Sequence, residues 1–464
     1  MTRALVLAGL LALAACDSAS PLSNFVAACT TPVPLTAAEI ETIIAQAAAR
    51  AAADGNAYHI TVVNREGVVG GEFLMDGAAG GLEASTRSKA RTAAFLSSHQ
   101  HAFNTRTARF IIQDNFPPGI ANAPGGPLYG VQFSSLACSD IVGETAGTVF
   151  TSGNGLSGDF GSMPLYKGGC LVGAVAVDGG PDDSDEERAA WGASAGFRPD
   201  VAIFGSNIFI DGVRLAFVNE RPADLAAPPF GSLLGAVLTA PAAAPPETAF
   251  PTEVIAGITV EVFVPIIDSP LGAITEADVR AMFSAGVALA ERTRAGIRRP
   301  LGVAARVFIC VTDLDGNVLG CVRTPEATLF SFDVAIQKAR TAAFFSSDTA
   351  AITTRALGFL AQGFFPPGIA SAPEGPLHGL QDAINPGCVP AALPLQNGIT
   401  IFPGGVPLYK GGVLVGAIGV SGDGVDQDDF VASAGADLFP PPTGIRGDEL
   451  AEADAVAALR ARIA

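Results

Sequence analysis

Histidine and positive charge are scarce in this chain. Of its 464 residues only 4 are His, and 27 Lys plus Arg face 45 Asp plus Glu, a formal charge of −18. A surface so acidic repels a phosphate backbone, so nucleic acid is excluded as a partner. No Cys-x-x-Cys pair and no Cys/His cluster has zinc spacing, which argues against a structural zinc site. Beyond the N-terminus no stretch reaches the roughly 18 uninterrupted apolar residues that a membrane-spanning helix needs. What is abundant is apolar and loop-forming. Hydrophobic residues make up 49%, charged residues 16%, with Gly 54 and Pro 33, the composition of a folded, loop-rich globular protein of two to four domains.

The N-terminus carries Arg3, an apolar run from Ala4 to Ala15, and then Leu13-Ala14-Ala15-Cys16. This lipobox resembles bacterial lipoprotein signal peptides, in which Cys16 would carry the lipid anchor after cleavage. The expected partition is a signal peptide over 1–15 and a tether over 16–34, with the protein held on the periplasmic side of the inner or outer membrane. Asp17 resembles an inner-membrane retention signal. Six further cysteines remain, and outside the cytoplasm disulfides are permitted. Cys310 and Cys321 flank a segment containing Asp315-Gly316; if that pair is a two-residue hairpin turn, the cysteines face each other, leaving open a disulfide or two buried thiols.

Self-similarity organises the rest. Lys89 to Ser98 (KARTAAFLSS) returns 249 residues later as Lys338 to Ser347 (KARTAAFFSS). FPPGIANAPGGPLYGVQ from Phe116 recurs at the same offset from Phe365, and MPLYKGGCLVGAVAVDG from Met163 recurs at an offset of 243 from Val406. The chain is a tandem duplication. Each copy opens with a capping box, Thr36 with Glu39 and Thr275 with Asp278, ahead of an amphipathic helix. A hairpin follows, then the Lys-Ala-Arg-Thr helix, a Pro/Gly-rich loop, a Tyr-Lys-Gly-Gly turn into an apolar strand, and a closing helix near Ala189 to Ala195 or Phe430 to Ala436. Strands grouped in hairpins predict an α+β fold of two tandem domains, each a central antiparallel sheet flanked by helices. Boundaries are expected at 35–215 and 271–445, with an Ala/Pro-rich linker over 216–270 and a helical tail over 446–464.

The order of hairpin, Lys-Ala-Arg-Thr-Ala helix, Gly-Gly turn and Leu-Val-Gly-Ala-Ile-Gly-Val-Ser-Gly strand (Leu414 to Gly422) resembles the GlcG/HbpS-like haem-binding family, over about 35 to 200 and 274 to 440. The first copy departs from that strand at Val175-Ala176-Val177-Asp178. The resemblance implies a compact domain, a tendency to oligomerise and, in some members, binding of haem or a related tetrapyrrole. It also implies that two fused copies reproduce internally a two-fold contact made between chains elsewhere.

Haem asks for an apolar slot, an axial ligand and cations near its propionates. His378, in the second Pro/Gly loop, stands where the first copy has Tyr129, and either side chain can ligate iron. Lys89 and Arg91, repeated as Lys338 and Arg340, are candidates to grip carboxylates, with intramolecular salt bridges as the competing role. Tyr166 and Tyr409 accompany Lys167 and Lys410 on the Gly-Gly turns, whose glycines are explained by positive φ alone. His99 and His101 are expected at the surface. The acidic runs at 182–187 and at Asp423, Asp426, Asp428 and Asp429 are expected as solvated helix N-termini. Gly153 to Gly158 mimics a dinucleotide loop without a following helix, and Gly192-Ala193-Ser194-Ala195-Gly196 mimics a nucleophile elbow without a preceding strand; neither is assigned chemistry. The expected function is a non-catalytic, lipid-anchored binding protein for haem or another small amphipathic ligand. The alternative is an oligomerising scaffold without a ligand.

Overall fold

The computed structural model describes residues 29–129, 131, 156–380 and 394–462. The signal peptide, Cys16, Cys138, Cys388 and Gly153 to Gly155 lie outside the described residues. The duplication is visible element by element. In the first copy α1 (Ala37–Asp54) leads to β1 (His59–Asn64), β2 (Val69–Met75), α2 (Glu83–Phe95), α3 (Thr105–Ile111), β3 (Ser162–Lys167), β4 (Cys170–Asp178) and α4 (Asp183–Ala193). A two-stranded ribbon, β5 (Phe209–Ile210) and β6 (Val213–Arg214), then β7 (Gly235–Thr239), β8 (Thr252–Ile255) and β9 (Ile258–Val264) precede the second copy. That copy runs α5 (Glu276–Ala290), β10 (Phe308–Asp313), β11 (Val318–Arg323), α6 (Phe330–Phe345), α7 (Thr354–Leu360), β12 (Gly405–Lys410), β13 (Val413–Ser421) and α8 (Val425–Ala436); α9 (Glu452–Ala461) closes the chain.

Both sheets are antiparallel and share one order, β3-β4-β1-β2 in the first copy and β12-β13-β10-β11 in the second. Strand alternation sends Ile60, Val62, Val175 and Val177 to the face packed by α1 and α4, and Val63, Ala174 and Ala176 to the face covered by α2. Small residues set the spacing on the α2-type face. In the second copy a Cβ on Gly419 would fall 1.9 Å from the Ala335 carbonyl oxygen of α6, so only glycine admits that helix so close to β13. Both capping boxes form, with Thr36 and Glu39 bonded reciprocally, and Thr275 and Asp278 likewise.

Two expectations about these elements need correction. Residues 216–270 are not simply a linker: β7 pairs with β2 and β9 with β11, so each sheet gains an edge from the stretch between the copies. Composition hid these strands because Ala and Pro surround them. The hairpin turn in the second copy spans Leu314 to Asn317 rather than two residues, because the Asp313 carboxylate accepts from Asp315 N at 3.1 Å and Asn317 N at 3.0 Å. A bulge between Val311 and Thr312 restores the register, and Cys310 still lies opposite Cys321, joined as a disulfide. A second disulfide, Cys29–Cys170, ties the chain ahead of α1 to the start of β4.

The copies share one apolar cluster, in which Phe95, Leu96, Phe103 and Ile111 of the first meet Ile297, Phe330 and Phe332 of the second. The equivalent face of the second copy, with Phe345, Ile352 and Leu360, is covered instead by Val456 and Leu459 of α9. The contact is therefore not the exchanged two-fold pair expected from fused copies: one face receives the partner copy and its counterpart receives the C-terminal helix.

Candidate binding site

The repeated Lys, Arg and Tyr residues hold the fold. Lys89 Nζ bonds Asp178 at 2.8 Å and Glu186 at 2.6 Å, and Lys338 Nζ bonds Asp428 at 2.9 Å and the Val420 carbonyl at 2.8 Å. Each pins the α2-type helix to the strand and closing helix beneath it. Burial pushes both ammonium groups down; the two hydrogen-bonded carboxylates outweigh it at Lys89, which is raised, whereas Asp428, even with Asp429 nearby, does not at the fully buried Lys338, which is lowered. Arg91 Nε donates to Gly67 O and Arg340 Nε to Gly316 O, each gripping its hairpin turn. Burial pushes the Arg91 guanidinium down to about 10. Tyr166 donates to the carbonyls of Ser98 and His101, and Tyr409 to those of Ser347 and Ala350. All six are structural partners repeated in both copies, and of them only Arg340 also borders a ligand-sized space among the described residues.

The histidines also sit differently from expectation. His101 is fully buried, its Nδ1 accepting from Ser98 Oγ at 2.8 Å and its Nε2 donating to Leu96 O at 3.0 Å. His99 Nδ1 accepts from Leu171 N at 3.1 Å and its Nε2 lies 3.3 Å from Glu326 Oε1 of the second copy. Adjacent sequence positions hid this, because the chain leaves the helix at Leu96 and turns back. His378 is a partly exposed loop residue 3.3 Å from Glu374, and Tyr129 packs against the second copy's apolar cluster. The two do not line one cavity among the described residues. Beneath the first Pro/Gly loop the space is about 50 Å³, room on the order of a few waters and too little for a tetrapyrrole. Beneath the second, Leu377 and Leu380 pack in one cluster with α9. The acidic runs are divided: Asp182 and Asp426 stay exposed at the starts of the closing helices, as expected, whereas Glu187 pairs with Arg106 and the Asp423 side chain is buried against Arg298 at 3.0 Å.

Among the described residues a space of ligand size lies in the second copy, where sequence reasoning did not look. A pocket of about 400 Å³ opens between β9, the β10–β11 turn and α6, walled by Phe263, Val264, Ile267, Val318, Phe332 and Ile336, within the range of small-molecule sites. Phe263 stacks on Phe250 with ring centroids 3.8 Å apart. Arg340 and Gln396 mark its polar edge, and Gln396 Oε1 is buried with no protein group bonded to it. At the corresponding positions, 249 residues earlier, the first copy replaces Phe332 and Ile336 by Glu83 and Arg87. Arg87 forms a two-bond ion pair with Glu72, both bonds at 2.6 Å. The two copies have therefore diverged at this place, one apolar and one ionic.

A family model described as "Haem degrading protein HbpS-like" matches residues 35–194 and 274–437, well over half of the chain. The chain belongs to the HbpS-like family. Both matched regions coincide with the duplicated sheets and helices described above. Among curated relatives, an uncharacterized 15.0 kDa protein of Citrobacter freundii is 32% identical over 141 residues, covering 30% of this chain and 81% of the relative. The corrinoid adenosyltransferase PduO of Salmonella typhimurium is 28% identical over 146 residues, 31% of this chain but only 35% of PduO. Among solved structures, the PduOC–haem complex is 26% identical and covers 36% of this chain and 95% of its own, with a TM-score of 0.26. The family description makes haem the group to test against this pocket. Its walls suit a flat apolar body and its edge suits polar substituents, but among the described lining residues there is no His, Tyr, Cys or Met to ligate iron.

Proposed function

We propose that the protein is a non-catalytic binding protein of the cell envelope that takes one haem-like amphipathic ligand per chain, in the pocket of the second copy. The observation that carries this reading is the apolar pocket bounded by Phe263, Phe332 and Ile336 with Arg340 and Gln396 at its edge. Its ionic counterpart in the first copy, Arg87 with Glu72, supports a single site. Burial of an apolar ring system against these walls supplies the binding free energy, and the polar edge fixes orientation. Lipidation of Cys16 would hold the chain at the periplasmic side of a membrane, tested by whether Cys16→Ser releases the protein from the membrane fraction.

Titration of the purified chain with haemin should give a Soret change that saturates at one per chain. Phe332→Glu with Ile336→Arg, which writes the first copy's residues into the second, should abolish it; a saturating stoichiometry of two, or an unchanged titration in that variant, refutes the assignment. A second reading, a ligand-free scaffold, is favoured by one observation, the internal engagement of every repeated Lys and Tyr. Light scattering of the delipidated protein separates the two, since a scaffold would assemble and ignore haemin.

A further inference from the structure

Cys29, His99 and Cys170 each place one donor atom within 4.8 Å of the others. The sequence spacing conceals this, because the three residues come from the segment ahead of α1, the loop after α2 and the start of β4. We propose that, when the Cys29–Cys170 disulfide is reduced, these three side chains form a binding site for a thiolate-seeking divalent metal such as zinc. Two thiolates and an imidazole are the donor set of open zinc sites, which leave a fourth position to water. His99 Nε2 faces Glu326 Oε1 at 3.3 Å, the carboxylate partner that metal-bound imidazoles use, and Nδ1, whose lone pair accepts from Leu171 N, would exchange that backbone N–H for the metal.

The imidazole is not needed for the backbone contact it makes. In the second copy Asp348 accepts from Leu414 N at 2.8 Å where His99 accepts from Leu171 N, and Val413 stands where Cys170 does. His99 and Cys170 thus both depart from the other copy at the one place that Cys29 reaches. The reaction balances with a dithiol reductant: two electrons and two protons from the dithiol open the S–S bond to two thiols, the dithiol becomes a disulfide, and the metal then displaces both thiol protons.

The full chain, reduced by a dithiol and cleared of it under anaerobic conditions, is titrated with cobalt(II). Wild type should bind one cobalt per chain with a near-ultraviolet thiolate-to-metal charge-transfer band that the oxidised protein lacks. Cys29→Ser should lose the band. His99→Asn, which retains an acceptor for Leu171 N, should weaken binding at least tenfold. No band in the reduced wild type, or the same band and stoichiometry in Cys29→Ser, overturns the proposal.

Discussion

Arg65 of the first copy and Glu326 of the second are joined by two hydrogen bonds, the shorter from Nη2 to Oε2 at 2.8 Å. Glu326 holds this position at a φ of +66°, in the left-handed region that side chains avoid. Its main-chain oxygen accepts from the buried Arg298, which in turn donates to Ser98 of the first copy. One residue after a proline therefore links both copies through side chain and backbone together.

Replacing Glu326 with Gln should therefore destabilise the chain at neutral pH. Arg65 keeps Glu247, so the expected cost is about 1–3 kcal/mol, below that of orphaning a fully buried charge. Burial alone would raise the Glu326 pKa, but Arg65, then His99 and Arg323, hold it well below the usual carboxylate range. A depressed folded pKa gives stability that is complete above the unfolded value of 4.5 and is lost as pH falls below it. The stability gap between wild type and Glu326→Gln should accordingly close between about pH 5 and about pH 2. Urea unfolding at several pH values checks it, and a gap that does not change with pH removes the ion pair from the account.

His59 offers the opposite case. It is fully buried, neither ring nitrogen is bonded to a protein group, and the nearest carboxylate, Glu72, is 3.9 Å away. The second copy carries Phe308 at this register. Burial lowers the His59 pKa, so the unfolded chain binds the proton first and stability falls as pH drops below the ordinary value of 6.5. His59→Phe should flatten that loss, raising Tm more at about pH 5 than at about pH 8. An equal shift at both values would mean that packing alone is responsible.

Much of this fold was legible from a repeat. The caps at Thr36 and Thr275, the hairpins and the Gly-Gly turns lie in local signals that each copy states independently. What the sequence concealed was assembly. The strands β7 and β9 pair with sheets on either side, which local composition does not report, and the apolar pocket exists only because Phe332 and Ile336 meet Phe263 from a segment about 70 residues away. Lys89 and Arg91 attracted attention as rare charges kept in both copies. That signal was real, but it marked structural contacts: Lys89 pairs with Asp178 and Glu186, about 90 residues on, and Arg91 holds the Gly67 carbonyl of its hairpin turn.

The structural role of the repeated lysines is testable apart from ligand binding. Lys338→Met leaves Asp428 buried without its ammonium partner, which should cost about 3–5 kcal/mol. Adding Asp428→Asn should recover part of that loss, because the orphaned charge is gone. Lys338 does not line the pocket of the second copy, so haemin affinity of the folded double variant should match wild type. A tenfold fall in affinity without further loss of stability would restore Lys338 as a ligand-gripping residue.

The C-terminal helix covers the face of the second copy that, in the first, is covered by the neighbouring copy together with Ile208 and Leu215. Its grip is apolar and specific: Leu459 is fully buried among Phe345, Ile352, Leu357 and Leu377, while Arg462 Nε reaches the Phe344 carbonyl at 2.7 Å. Leu459→Ala removes three heavy atoms from a filled interior and should cost about 2–5 kcal/mol. Truncation before residue 446 goes further, since it uncovers the whole face and removes the backbone bridge between Ala351 and Arg446. A contiguous apolar surface of that kind drives association, so the truncated chain should bind a hydrophobic dye and gain mass by light scattering, while Leu459→Ala should remain in the wild-type assembly state. If truncation changes neither dye binding nor mass, α9 is a passive appendage and the face beneath it closes by other means.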